Sequence, residues 1–144
     1  MKSSKDSKET HQEYFHKICV VGGGLTGAIM VLLLKQSKLF KKNEIAWIKP
    51  KEKKHADFRT TFYNSTSIEL LKSLHLIDNL KVDDYSIVNQ IEVFGAKGSS
   101  PLVWDNSSSN SPLGTVIKNE IILNALSKLL NDIPKYGDTV TNTD

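Results

Sequence analysis

The chain has 144 residues, 39% of them hydrophobic and 24% charged, with a formal net charge of +3. That is room for one domain and its core, in a chain apolar enough to fold. The lysines cluster at Lys41 and Lys42 and at Lys51, Lys53 and Lys54, and no basic stripe with interleaved aromatics is present, which argues against nucleic acid as a partner.

Residues 1–16 are polar and charged and read as a disordered tail; they carry no apolar stretch of the kind a secretory signal needs. Lys17-Ile18-Cys19-Val20-Val21 is a short β-branched run with the pattern of a strand buried on both faces. Cys19 is the single cysteine, so no internal disulfide can form; a reducing compartment and a role as a small core residue are expected. After the glycines at 22–24, residues 25–36 read as an apolar helix ending in a basic, polar turn, where cations suit a helix C-terminus. Residues 44–48 read as a second strand, stopped by Pro50. The three elements form a βαβ unit of about 30 residues, a connection that implies a parallel strand pair. Residues 18–34 are apolar, but four glycines interrupt them and they fall short of the roughly 20 residues of a membrane span.

Residues 51–57 read as a charged loop. Asn64, Ser65 or Ser67 can cap a helix carrying Ile68, Leu70, Leu71 and Leu74 at helical spacing, and residues 76–80 add a short turn. Residues 87–94 read as one strand, residues 95–101 as a turn, and residues 102–104 as its partner, a small hairpin region. Residues 105–111 are a Ser/Asn loop by composition. Residues 114–118 read as a strand and residues 119–130 as a helix with Ile122, Leu123, Leu126, Leu129 and Leu130 on one face. Residues 132–144 show no clear element and read as an unstructured tail beyond a folded region of 17–131. No internal repeat is present.

Gly22-x-Gly24-x-x-Gly27 directly follows a strand and opens a helix. In a dinucleotide-binding turn the first glycine makes the bend, the second admits a pyrophosphate to the backbone, and the third lets helix and strand approach closely. The free N–H groups of the helix start, at Leu25, Thr26 and Gly27, then face the phosphates. The glycine pattern with its strand and helix therefore points to a nucleotide site rather than a bare tight turn. Such folds carry an acidic residue for the ribose at the end of the second strand, and Lys49 stands there instead. A basic residue at that place suits either a 2′-phosphate or a plain surface position.

Asp57-Phe58-Arg59-Thr60-Thr61, then Ser67, then Leu70-Leu71-Lys72-Ser73-Leu74-His75-Leu76 resembles the segment after the second strand in FAD-dependent aromatic hydroxylases, most closely those of ubiquinone biosynthesis. Their pattern is D-x-R-x-T, a serine, and a helix ending L-x-x-L-G-L, with His75 here in the glycine's place. Residues 87–94 resemble that family's I-x-x-I-x-V strand. Leu113-Gly114-Thr115-Val116-Ile117-Lys118-Asn119 resembles its L-G-x-V-V-E-N, keeping the asparagine and replacing the glutamate with Lys118. The resemblance runs over residues 18–130. It implies an α/β fold with a Rossmann-like FAD-binding βαβ unit, FAD as cofactor, NAD(P)H as reductant, and an aromatic quinone precursor as substrate. It further implies cofactor contacts from Gly22, Gly24, Leu25, Thr26, Gly27, Arg59, Thr60 and Asn119, with a surface ion pair to Asp57 as the plain alternative for Arg59 and a helix N-cap for Asn119.

In that family the chemistry belongs to the flavin, so no catalytic residue is expected among these residues. The four histidines, His11, His16, His55 and His75, are scattered without partners at ligand spacing, so no metal site is expected. The family's later motifs, a D-G segment, a G-D segment and a substrate-covering sheet, have no counterpart here; Gly137-Asp138 lacks the glycines that flank the G-D motif. The expectation is therefore an incomplete FAD-binding unit, inactive alone, whether shortened, decayed or split, the split case calling for a complementary C-terminal chain, in the cytoplasm or peripheral at the inner face of a membrane. A stand-alone NAD(P)- or FAD-binding module and a non-catalytic remnant are the alternatives.

Overall fold

The β-branched run after residue 17 forms β1 (Ile18–Val21), the glycines turn the chain, and α1 (Leu25–Ser37) carries it back to β2 (Ile45–Ile48), parallel to β1 with Ile18 opposite Ile45. The computed structural model describes residues 15–49, 58–96, 100–106 and 111–137. The expected loop at 51–57 and most of the expected N-terminal tail lie outside the described residues.

β3 (Thr60–Asn64) and α2 (Ser65–Ser73) follow, then β4 (Tyr85–Val88), β5 (Gln90–Val93), β6 (Leu102–Asp105), β7 (Gly114–Lys118), α3 (Asn119–Leu129) and β8 (Lys135–Tyr136). The strands make a parallel sheet in the order β1-β2-β8, a sheet β3-β7-β4 that is antiparallel throughout, and an antiparallel ribbon β5-β6. No helix among the described residues is long and apolar enough to cross a membrane.

One core joins the two larger sheets. Ala28, Val31 and Leu32 of α1 meet Ile45 and Trp47 of β2, and Ile122 and Leu126 of α3 continue it to Ile117 of β7 and Leu71 of α2. The buried residues of both helices recur at three- and four-residue spacing, which is why each helix buries one stripe. At their C-terminal ends the helices are tied by charge: Lys35 Nζ donates to Leu129 O at 2.6 Å and to Asp132 Oδ1 at 2.7 Å, and Lys42 pairs with the other carboxylate oxygen. The hydrogen bonds from Lys35 and then Lys42 hold the Asp132 carboxyl well below the usual carboxylate range. A depressed folded-state pKa contributes stability above the unfolded-state value near 3.9, and that contribution disappears as pH falls through the folded-state value. The melting-temperature gap between the wild type and Asp132→Asn is therefore expected to be constant from pH 5 to 8 and to narrow below about pH 4. A gap independent of pH down to 2 contradicts this.

α2 is capped as its sequence suggests, with Asn64 Oδ1 accepting from Ser67 N at 2.9 Å. It ends with His75 N donating to Lys72 O at 2.9 Å and Leu76 N to Leu71 O at 3.0 Å, the paired bonds of a Schellman motif. His75 has φ 57°, the left-handed conformation that glycine takes most easily. Its ring accounts for part of the exception: Nδ1 lies 2.8 Å from Asp78 Oδ2.

Three expectations need correction, and one strand was not expected. Residues 87–94 are not one strand: β4 pairs with β7 and β5 with β6, so the chain changes sheets at Asn89. Residues 60–64 form a strand, opposite β7 from Thr60–Lys118 to Asn64–Gly114. Residues 132–137 are not a structureless tail, since Ile133 is buried and β8 adds to β2 with Trp47 opposite Lys135. His16, assigned to the N-terminal tail, lies with its Nε2 2.6 Å from Tyr136 OH and its Nδ1 2.8 Å from Asn43 O. These pairings are long-range and carry no local periodicity.

Cys19 is a further correction. It is exposed rather than part of the core. Ile18 and Val20 pack under α1, while Cys19 and Val21 point to the opposite face of the sheet, where Val21 is 69% exposed.

Candidate functional site

The glycine turn stands at the carboxyl end of β1. Gly22 has φ +125°, a conformation that side chains rarely adopt. Its N–H donates to Ile48 O at 2.8 Å, and its carbonyl accepts from the Trp47 indole Nε1 at 2.8 Å. β2 thus grips both polar groups of this residue. A Cβ on Gly27 would lie less than 3.0 Å from that carbonyl oxygen, closer than real Cβ atoms come, so helix and strand meet there through backbone alone.

Gly24 serves differently. It is the N-cap of α1 with φ −78° and ψ −178°, an extended conformation open to any residue, and a Cβ there would meet nothing. The space beside it is open. No side chain caps α1 and its first turn carries no acid, so the N–H groups around Leu25, Thr26 and Gly27 present their partial positive charge outward. A Gly-rich bend, a clear approach and an uncapped helix start are the backbone features of an anion-binding turn.

The second group of sequence-singled residues lies on the other sheet. Thr60 begins β3 opposite Lys118, and Asn119 N donates to Arg59 O at 2.9 Å, so Arg59, Thr60 and Asn119 are brought together where β3, β7 and α3 meet. Arg59 and Thr60 are exposed and Asn119 is 8% exposed. Asn119 is not the N-cap; Lys118 holds that place, and the Asn119 Oδ1 instead accepts from Thr61 Oγ1 at 2.7 Å. The Tyr63 hydroxyl is buried beside Thr61, whose own hydroxyl is committed to Asn119, and burial pushes the phenol up. The two groups are linked by α1 packed against α3.

At the end of β2, Lys49 Nζ lies 5.0 Å and Lys135 Nζ 5.9 Å from the centre of the Trp47 ring. Both distances allow cation–π attraction. Two cations therefore flank the strand end where a ribose-binding acid would stand. Trp47 and Thr61 were not singled out by sequence reasoning. Trp47 sits two residues before the expected acid, but nothing local shows that its indole reaches across to Gly22.

A parallel β1-β2-β8 order with a glycine turn at the carboxyl end of β1 is the arrangement of a Rossmann-like dinucleotide-binding fold. Solved structures carry the same fold over most of this chain. A probable FAD-dependent monooxygenase of Pseudomonas aeruginosa, PqsL, matches 90% of this chain and 36% of its own with a TM-score of 0.63 at 11% identity. The p-nitrophenol 4-monooxygenase PnpA of Pseudomonas putida matches 88% of this chain and 32% of its own, with a TM-score of 0.61 at 13% identity. In sequence the chain is similar to the mitochondrial ubiquinone biosynthesis monooxygenase COQ6 of Dictyostelium discoideum, 22% identical over 140 residues, 86% of this chain and 28% of that protein. The chain thus spans about a third of the length of these relatives. No protein-family model matches it.

Proposed function

We propose that this chain is the pyrophosphate-binding part of an FAD-dependent aromatic monooxygenase acting in ubiquinone biosynthesis. The observation that carries the proposal is the turn at Gly22, Gly24 and Gly27: a positive-φ bend, an open approach and a helix start without a cap, on a sheet of the right order. The likeness to the Dictyostelium protein supports the choice of substrate class.

In this reading Gly22, Gly24, Leu25, Thr26 and Gly27 hold the pyrophosphate through backbone N–H groups. Arg59 adds fixed donors and positive charge near the cofactor, with Thr60 beside it. Asn119, oriented by Thr61, offers a neutral amide. FAD, reduced by NAD(P)H, supplies the oxygen-transferring chemistry when bound. The residues of this chain bind and orient; none is assigned a proton-transfer step. An aromatic quinone precursor is greasy, so the working enzyme is placed at a membrane face.

Titration of the purified chain with FAD, followed by fluorescence quenching, tests the assignment. Weak FAD binding without substrate-dependent NADPH oxidation is expected; measurable oxidation by this chain alone contradicts it. A second reading, an NADP-binding module, is favoured by the cations Lys49 and Lys135 at the end of β2. Binding of NADPH but not FAD would establish that one instead.

A further inference from the structure

Side chains alternate along β3, so Thr61 and Tyr63 share one face, while Thr60 and Phe62 point to the other and are exposed. That alternation is why Thr61, and not Thr60, reaches Asn119. Two bonds tie the strand to the start of α3: Asn119 N donates to Arg59 O at 2.9 Å, and Thr61 Oγ1 donates to Asn119 Oδ1 at 2.7 Å. Tyr63 and Asn119 are each 8% exposed, so the side-chain bond lies where water competes poorly.

An amide has one acceptor oxygen and two donor hydrogens on its nitrogen. With Oδ1 committed to Thr61, the edge of Asn119 left for a ligand is its Nδ2. That nitrogen makes no hydrogen bond among the described residues and is not sealed in, since the buried side-chain polar atom without a partner there is the Tyr63 hydroxyl. The Arg59 guanidinium likewise carries donors and no acceptor. Arg59 and the outer edge of Asn119 thus ask the same thing of a ligand.

We propose that Thr61 is a positioning residue: its hydroxyl holds the Asn119 amide nitrogen outward, so that the junction of β3, β7 and α3 takes an acceptor oxygen of the cofactor and refuses a donor. The inference rests on the FAD reading and deepens it, by separating the side chain that touches the cofactor from the one that aims it. It also joins Arg59-Thr60-Thr61 and Lys118-Asn119, two runs far apart in sequence, into one binding unit distinct from the glycine turn.

Thr61→Val keeps the volume and a strand-forming side chain but loses the hydroxyl. It is expected to leave thermal unfolding nearly unchanged and to weaken FAD binding, followed by fluorescence quenching, about five-fold, the size of one hydrogen bond. Thr61→Ser is expected to restore the affinity. In an Asn119→Ala background Thr61→Val is expected to have no further effect, because a residue that acts through Asn119 then has nothing to aim. Asn119→Asp replaces the outward donor with an acceptor and is expected to bind FAD more weakly than Asn119→Ala. In the chain without cofactor, 15N relaxation of the Asn119 side-chain amide is expected to show a rigid group in the wild type and Thr61→Ser and a mobile one in Thr61→Val.

Thr61→Val binding FAD as the wild type does, or weakening it equally with and without the Asn119 amide, overturns the proposal. So does Asn119→Asp binding as tightly as the wild type. An amide that stays rigid in Thr61→Val defeats the positioning role and leaves the FAD reading standing, whereas a wild type that binds no FAD overturns that reading and the proposal with it.

Discussion

Gly27→Ala is expected to destabilise the chain by about 2 kcal/mol and to lower its FAD affinity at least about ten-fold. The new Cβ would sit less than 3.0 Å from the Gly22 carbonyl oxygen and 3.2 Å from its carbonyl carbon. Neither atom can yield, because Ile48 holds the Gly22 N–H and the Trp47 indole holds the oxygen. α1 must therefore tilt away from β1, which opens the core at Ala28 and moves the helix start out of line with the cradle. Gly24→Ala is the informative control. Its Cβ meets nothing and its φ is ordinary, so only the cap preference is lost, below about 1 kcal/mol. The added methyl nevertheless stands in the open space beside the helix start. Thermal unfolding together with FAD titration separates the two: Gly27→Ala loses both properties, Gly24→Ala chiefly the second. A Gly24→Ala variant that binds FAD as the wild type does would show that no phosphate approaches there.

Leu126→Ala is expected to remove about 3 kcal/mol of stability, measured by urea unfolding. Leu126 is 1% exposed, on the stripe of α3 that joins the core around α1 to that around α2. Truncation leaves a cavity between elements held from several sides. Single domains have roughly 5–15 kcal/mol in total, so the loss is a large share, and at this chain length it lowers the melting temperature by roughly 10 °C. Leu129, on the same helix but 39% exposed, reports the local contribution alone, and Leu129→Ala is expected to cost less than about 1 kcal/mol. Equal losses at the two positions would mean that α3 is not packed as described.

Regular elements with a strong local signal were legible in the sequence. α1 follows from its apolar run after the glycine turn and α3 from apolar spacing, and the end of α2 was marked by the L-x-x-L pattern although His75 stands where glycine is expected. The βαβ unit and its parallel pairing follow from the glycine turn and the length of the connection. Two of the three glycine roles are steric and appear in the backbone as a positive φ at Gly22 and a close approach at Gly27.

Other features depend on which distant segment lies alongside. The apolar character of residues 87–94 suits one long strand, yet pairing with β7 and then with β6 divides it at Asn89. Residues 60–64 alternate weakly, and β7 makes them a strand. The Thr61–Asn119 and Trp47–Gly22 bonds join residues 58 and 25 positions apart, beyond any local periodicity.

The turn at Gly22, Gly24 and Gly27, its strand and its helix were determined by the sequence itself, because a positive φ, a missing Cβ and an apolar stripe are local demands of residue type. The tertiary structure decided the exposure of Cys19 and Val21 and the partner of Asn119. An apolar run states only that a strand prefers cover; which of its edges and faces is covered depends on the neighbours that assemble around it.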